Sequence, residues 1–268
     1  MLIDRRGAGG GERAGVEALL AEGARRGAAV GWDRVIIGGA AESTVAALQD
    51  VRPAMRQDAW SRTSQVDLAA IRSAGTGYLA QVSANTRYQI RRARRLYEAR
   101  GPLVLDVARD SGQALEFFDG MRPLHEATWA ARGRPGAFSH PFFARFHRRL
   151  IATGMPRGRV ELLRVSAGGA VIGYLYNFLY RGTVDYYASG VAYEADNKAR
   201  PGLVSHAMAI EDHLARGNDC YDFMAGEARY KESLGRPGPG ICTVTVERPG
   251  IKPALANALR SARALIRG

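Results

Sequence analysis

Between Arg159 and Gly235 the spacing of apolar positions changes period once, and that change predicts an architecture. Arg159–Ser166 (RVELLRVS), Ala170–Tyr180 (AVIGYLYNFLY) and Thr183–Val191 (TVDYYASGV) have the Val-, Leu- and Tyr-rich makeup of strands. Gly168-Gly169 and Arg181-Gly182 separate them at tight-turn signals, so the three strands form an antiparallel meander. The period then becomes helical: Leu203, Ala207, Ile210 and Leu214 share one helix face. Pro201 suits the first turn of that helix and Gly217 the position just past its end. Cys220–Met224 (CYDFM) is a short apolar run of the kind found in a buried strand. A meander, a helix and a further strand make an α+β layer with the helix on the sheet.

Upstream, Ser83–Arg100 predicts a helix with Ser83 as its N-cap and Gly101 as its stop. Tyr88, Ala93, Leu96 and Tyr97 fall near one face with Ile90 to its side; Arg87, Arg91, Arg94 and Arg95 crowd the others. Leu103–Ala108 reads as a strand, and Gln113–Trp129 as a helix that Gly120 and Pro123 kink or split. Pro141–Thr153 is amphipathic, with Phe142, Phe143, Phe146 and Leu150 expected inward and Arg145, Arg148 and Arg149 outward. His125 and Glu126 invite a catalytic reading, but no second histidine stands at metal spacing, so His125 is read as a half-buried helix residue. Near the N-terminus, Val16–Arg26 and Ala41–Val51 read as helices, Trp32–Ile37 as a strand, and Arg52–Ser61 as irregular. Ile241–Glu247 is a last strand. Pro253–Arg267 is a basic amphipathic helix suited to packing on the fold, to a dimer contact, or to an anionic membrane surface.

The 268 residues can hold one large domain or two small ones, and a hydrophobic content of 46% with 24% charged residues is ordinary for a globular chain. No apolar run is long enough for a transmembrane helix, and the basic N-terminus lacks the apolar core of a secretory signal. A cytoplasmic location is therefore expected, with peripheral contact at the inner membrane face left open. The two cysteines, Cys220 and Cys242, lie in apolar runs and read as buried thiols; no metal site is expected. The net charge of +12 favours polyanionic partners, although an Arg-rich genome composition produces the same number. The Arg-rich helix has neither a helix-turn-helix pattern nor interleaved stacking aromatics, so no specific DNA partner is expected.

A resemblance extends this reading. Arg159–Tyr180 with its Gly-Gly turn, Asp185–Gly190 (DYYASG), Arg200-Pro201-Gly202, and Tyr221–Gly226 (YDFMAG) followed by Tyr230-Lys231 together resemble the second half of a GNAT-type acyltransferase. The pattern looks most like the CelD-like, exopolysaccharide-associated branch related to the FemAB peptidyltransferases, over roughly residues 80–245. It implies a GNAT-like α+β fold: a mixed, mostly antiparallel sheet flanked by helices, with an incomplete N-terminal lobe. The corresponding division is a disordered 1–15, a partial lobe over 16–80, a basic linking helix over 81–101, an acyltransferase domain over 102–249 and a terminal helix over 250–268.

In that family acyl-coenzyme A binds where two strands splay, with its pyrophosphate at the next helix N-terminus. The matching stretch makes Asn197, Lys198, Arg200 and Gly202 the donor-binding candidates; Arg200 stands where the usual loop has glycine, and Pro201 removes an N–H. The catalytic candidates are Asp222, Lys231, Tyr230 and Tyr187, with Ser189 and Glu227 beside them. Asp222 is either a desolvated base or a structural carboxylate at a strand end. Lys231 is either a contact to donor phosphate or oxyanion, or a solvated loop lysine. Of Tyr186 and Tyr187, one should face the cleft.

The implied function is transfer of an acyl group, from acyl-coenzyme A as co-substrate and with no permanently bound cofactor, to an amine or hydroxyl of an acceptor. That acceptor is a small molecule or a sugar, peptide or cell-envelope or exopolysaccharide precursor. Two rivals stand beside it: a non-catalytic accessory protein of polysaccharide assembly, and a peptidyltransferase that takes aminoacyl-tRNA, with tRNA as its partner.

Overall fold

The computed structural model describes Ala18 and residues 34–51, 55–226 and 229–247. The disorder expected over 1–15, the helix expected over 250–268, most of the helix expected at Val16–Arg26, and Glu227 lie outside the described residues. In chain order the elements are β1 (Arg34–Ala41), α1 (Glu42–Val51), β2 (Met55–Gln57), β3 (Ser61–Asp67), α2 (Leu68–Ser73), α3 (Ala84–Glu98), β4 (Leu103–Val107), α4 (Ser111–Ala130) and α5 (Pro141–Gly154). There follow β5 (Val160–Ala167), β6 (Ala170–Tyr180), β7 (Thr183–Val191), α6 (Pro201–Ala215), β8 (Cys220–Ala225), α7 (Arg229–Leu234) and β9 (Arg236–Glu247).

The chain forms two compact units, residues 1–62 with 239–268, and residues 63–238. In the first, β9 pairs antiparallel with β1 and with β2, and Ala40, Val45 and Leu48 pack on Cys242, Val244 and Val246.

The second unit is a mostly antiparallel sheet flanked by helices. Its strand order is β3-β8-β7-β6-β5-β4, and among these neighbours only β7 and β8 run parallel. Adjacent residues on the strands serve opposite faces, as a pleat requires. Leu163, Leu175 and Tyr186 pack with Ile90 of α3 and Leu203 and Ile210 of α6, while Leu162 and Tyr176 pack with Phe117 and Phe118 of α4 and Ile151 of α5. No described helix is long and apolar enough to cross a membrane.

Several local expectations hold for stated reasons. Ser83 Oγ accepts the Thr86 N–H at 3.1 Å and so starts α3. Asp110 Oδ1 takes the Gln113 N–H at 2.9 Å and starts α4, which runs through Pro123 as one element rather than splitting. Cys220 and Cys242 are free and buried.

Two helical faces differ from expectation. Phe142 and Phe146 are 58% and 47% exposed, so they are not core residues. The inward face of α5 runs through His147 and Ile151, because His147 Nδ1 and Nε2 sit 3.1 Å from the Tyr176 and Tyr187 hydroxyls. On α3 the buried face runs through Thr86, Ile90, Ala93 and Tyr97, and Tyr88 stands 56% exposed.

A buried charge cluster ties α6 to the meander. Glu161 on β5 meets His213 Nε2 at 3.0 Å and Arg216 at 2.6 Å. Arg216 also donates to His213 Nδ1 at 2.9 Å, so the ring's remaining proton faces the carboxylate. Burial alone would raise the Glu161 carboxyl, but His213 and Arg216 hold it down at about 2. A carboxyl depressed on folding stabilises the fold above its unfolded value and loses that contribution as pH falls through the folded value. Wild-type stability should therefore fall between pH 4.5 and pH 2, where the ordinary and folded values lie. Glu161→Gln should cost about 2 kcal/mol at neutral pH, through the charged hydrogen bonds lost to His213 and Arg216 while Arg216 keeps Asp212 at 2.7 Å, and should flatten that acid limb in urea titrations at stepped pH.

Candidate active site

Pairing between β7 and β8 is limited to Thr183↔Cys220, Val184↔Tyr221 and Asp185↔Asp222, although β7 continues to Val191 and β8 to Ala225. Beyond those three rungs the strands part. The β7 side bends at a bulge: Asn177 pairs with Tyr186 and Tyr176 with Ala188, which leaves Tyr187 as the extra residue. The β8 side turns at Met224 and Gly226, with φ of +60° and +130°. The resulting gap opens into a cavity of about 510 Å³, whose wall includes His125, Tyr187, Ser189, Arg200, Tyr230 and Lys231.

Successive strand residues point to opposite faces, and both adjacent tyrosines line this cavity from the two sides of the sheet. Tyr186 packs against His206 and Phe223, and Tyr187 against Phe143 and His147. Tyr187 is half-exposed, and burial raises its hydroxyl above the ordinary tyrosine value. Burial likewise raises Tyr230, whose hydroxyl is bonded to Tyr186. Both phenols are therefore hydrogen-bond donors at neutral pH rather than bases.

Lys231 is buried, and its Nζ donates to the Ala225 carbonyl at 2.7 Å. Burial lowers its pKa, while the Asp222 charge works in the opposite direction. Gly226 makes room for this ammonium, since a Cβ there would stand 3.1 Å from Nζ. His206 of α6 also lines the cavity; burial and then the Lys231 charge push it down to about 3, so the ring is neutral. It stacks on Tyr230 at 5.4 Å, and its Nδ1 lies 3.1 Å from the Tyr221 hydroxyl. Asp222 is buried but does not line the cavity; its Oδ1 takes the Met224 N–H at 2.6 Å, at the turn that ends β8.

The start of α6 forms the mouth of the cavity. Arg200 and Gly202 line it, whereas Asn197 and Lys198 are exposed on the preceding loop and do not. Arg200 has φ +44°, the left-handed conformation that glycine adopts more cheaply. Pro201 has no N–H, and those of Leu203 and Val204 both go to the Arg200 carbonyl, at 3.0 and 3.2 Å. Of the first-turn donors this leaves Gly202, so an anion at this helix end would depend mostly on the Arg200 side chain.

The opposite wall comes from α4. His125 is 8% exposed, and its Nδ1 lies 3.0 Å from the Ser189 carbonyl oxygen. Ser189 is otherwise held by its Oγ, 2.7 Å from the Tyr186 hydroxyl. The helix can lie this close because Gly190 faces it: a Cβ there would run into the Met121 carbonyl and stand 3.0 Å from Leu124 Cβ. Gly120 plays the same part against Tyr174, 2.5 Å from the position its Cβ would take.

The site therefore gathers Lys231, Tyr230, Tyr187, Ser189, Arg200 and Gly202 from the sequence candidates, and adds His125 and His206. The sequence raises His125 and sets it aside as a half-buried helix residue; it is buried, and the signal that could have kept it is the row His125, Trp129 and Arg132, one helix face ending in the loop after α4. A larger cavity of about 940 Å³ borders α7 on its Glu232–Leu234 side and is lined by Gln65, Tyr78, Ser83 and Thr86, but the Tyr78 hydroxyl donates to the Leu234 carbonyl at 2.8 Å and the Ser83 and Thr86 hydroxyls bond each other at 3.0 Å. A groove of about 490 Å³ on α3 is lined by Arg87, Tyr88, Arg91 and Arg95.

Residues 84–232 match the family model of the acetyltransferase (GNAT) domain. Among curated proteins none matches the chain. Similar solved structures include FemX, with a TM-score of 0.60 at 10% identity over 88% of this chain and 77% of that one. L-PGS from Bacillus licheniformis gives a TM-score of 0.55 at 13% identity, over 88% and 74%. A tandem GNAT protein from the clavulanic acid biosynthesis pathway gives 0.50 at 13%, over 88% and 70%. At these identities the likeness is one of fold.

The close approach of α4 to β7 has a direct test. Gly190→Ala should destabilise the protein by about 1–3 kcal/mol in urea unfolding, because the added methyl meets backbone that has no rotamer to move.

Proposed function

The chain belongs to the acetyltransferase (GNAT) domain family, and from that premise we propose that it transfers an acyl group from acyl-coenzyme A to an amine or hydroxyl of a sugar, peptide or cell-envelope precursor. The observation that carries this reading is the buried Lys231 ammonium, held at the end of β8 in the cavity where β7 and β8 part.

Acyl transfer asks little of a protein: hold the thioester beside the nucleophile, and stabilise the negative charge that develops on its carbonyl oxygen. The parted strands give a pantetheine arm unpaired backbone to lie against. Arg200 at the mouth supplies a cation for the donor's phosphates. One Lys231 N–H is engaged by Ala225, and the others, which have no partner among the described residues, would meet the oxyanion. Tyr230 and Tyr187 add hydroxyl donors to the wall.

A second reading, with aminoacyl-tRNA as donor, is favoured by the scarcity of free N–H groups at the start of α6 and by the arginine groove on α3. A donor whose phosphates lie far from the acyl group would not need the helix end.

Thermal-shift titration separates the two. Under the coenzyme A reading, acetyl-coenzyme A raises Tm with concentration, by the equivalent of about 2.7 kcal/mol at one hundred times Kd. Lys231→Met should keep that shift and lower turnover about 10²–10³-fold. Arg200→Gly should raise the melting point of the free protein, by up to about 1 kcal/mol of relieved backbone strain, and weaken the shift. An aminoacyl-tRNA that shifts Tm where acetyl-coenzyme A does not would move the donor to the second reading. A shift by neither would leave a non-catalytic accessory role.

A further inference from the structure

His125 has no part in the transfer chemistry above, yet of the four buried histidines it is the one that keeps a buried ring nitrogen with no hydrogen-bond partner among the described residues. His147 and His213 have both ring nitrogens partnered: His147 by the Tyr176 and Tyr187 hydroxyls, and His213 by Glu161 on Nε2 and by Arg216 on Nδ1. His125 has a partner on one side only. Its Nδ1 lies 3.0 Å from the Ser189 carbonyl, and a carbonyl oxygen only accepts, so Nδ1 carries the hydrogen. In the neutral ring the lone pair is then on Nε2, which is buried and, among the described residues, has no hydrogen-bond partner. A fold under pressure only to pack would place an apolar ring here, since an unpartnered buried acceptor is destabilising.

The ring is also fixed in direction. Phe138 meets it edge-on at 5.3 Å and Trp129 lies at 5.9 Å, while Gly136 leaves room at its edge, where a Cβ would stand 3.3 Å from Cδ2. His125 lines the same cavity as Lys231 but is carried by α4 against β7, whereas Lys231 is held at the end of β8. An acyl group between the parted strands would have the ammonium on one side and the His125 ring on the other.

We propose that His125 is the catalytic base of the transfer. The inference rests on the acyl-transfer reading of this cavity. The acceptor nitrogen or oxygen forms its bond to the thioester carbonyl carbon, and Nε2 takes the proton that the acceptor loses. When the carbonyl re-forms, the carbon–sulfur bond breaks with its electron pair on sulfur. The imidazolium then returns its proton to the thiolate, so the ring ends neutral and the products are the acylated acceptor and the free thiol. Ser189 acts through its backbone carbonyl, as the group that sets the tautomer.

The test has two readouts on the full chain. Nitrogen-15 spectra of the histidine rings, with the His125 signals identified by their loss in His125→Gln, should show Nδ1 protonated and Nε2 bare; a proton on Nε2 overturns the proposal. The second readout is thiol release from acetyl-coenzyme A with water as acceptor. His125→Gln should lower the rate about 10²–10⁴-fold while its acetyl-coenzyme A melting shift stays at the wild-type value, and His125→Ala should regain rate with added imidazole. A melting shift with no loss of rate in His125→Gln overturns the base alone. No melting shift in the wild type removes the coenzyme A reading and this base with it.

Discussion

The site depends on the shortness of one strand pairing. A parallel pair joined through α6 would give a closed sheet if its ladder ran the full length of β7. It stops at Asp185 and Asp222 because each strand carries its own irregularity: the bulge at Tyr187 and the positive-φ turn at Met224 and Gly226. Asp222 takes part in this arrangement by accepting the Met224 N–H. Its contribution is thus to hold the strand end open, a role that a carboxylate performs only while it stays charged or well hydrogen-bonded. Everything that lines the cavity follows from that gap, including the access of Tyr186 and Tyr187 from opposite sheet faces.

Buried polarity is handled in two ways around the sheet. The Glu161, His213 and Arg216 cluster is closed, with each charge and each ring nitrogen answered by a neighbour. Such a cluster fixes where α6 lies against β5 more than it adds stability, since a packed apolar triad would serve as well energetically. The cavity is the open counterpart. Lys231 has one backbone partner, and His125 has one partnered nitrogen. Groups that a core would satisfy are left with capacity to spare, and they stand on two different elements facing one space.

The sequence was most legible where local chemistry decides the outcome. The Gly168-Gly169 turn marks the β5–β6 hairpin, Ser83 starts α3 through its own hydroxyl, and Pro201 and Gly217 bracket α6. It was least legible where long-range partners decide. The rotation of α5 is set by two tyrosine hydroxyls from β6 and β7 that draw His147 inward, and hydrophobicity alone would have turned Phe142 and Phe146 inward instead. In the site, Tyr230-Lys231 and Arg200-Pro201-Gly202 were visible because the pattern of a family runs through them. His125 was raised and set aside, because its surroundings depend on a carbonyl oxygen sixty-four positions away, and a backbone carbonyl carries no signature in the sequence. Asn197 and Lys198 match the donor loop in order, yet the turn closed by Asp196 on the Lys198 N–H leaves both exposed away from the cavity.

Two glycines connect this site to the packing of the fold. A helix normally stands off the sheet it covers because side chains fill the space between them. Gly190 on β7 and Gly120 on α4 remove that filling at two points, which lets the α4 backbone at Met121 come down on the strand. One turn further along α4, this same approach puts the His125 ring within hydrogen-bond reach of the Ser189 carbonyl. The tautomer of His125 is thus set by a backbone-to-backbone spacing that no side-chain substitution at the cavity wall would change. The ammonium opposite is set by a different device, the glycine at 226 beside a positive-φ turn. The two walls are therefore fixed by separate elements, so a change that moves one leaves the other group in place.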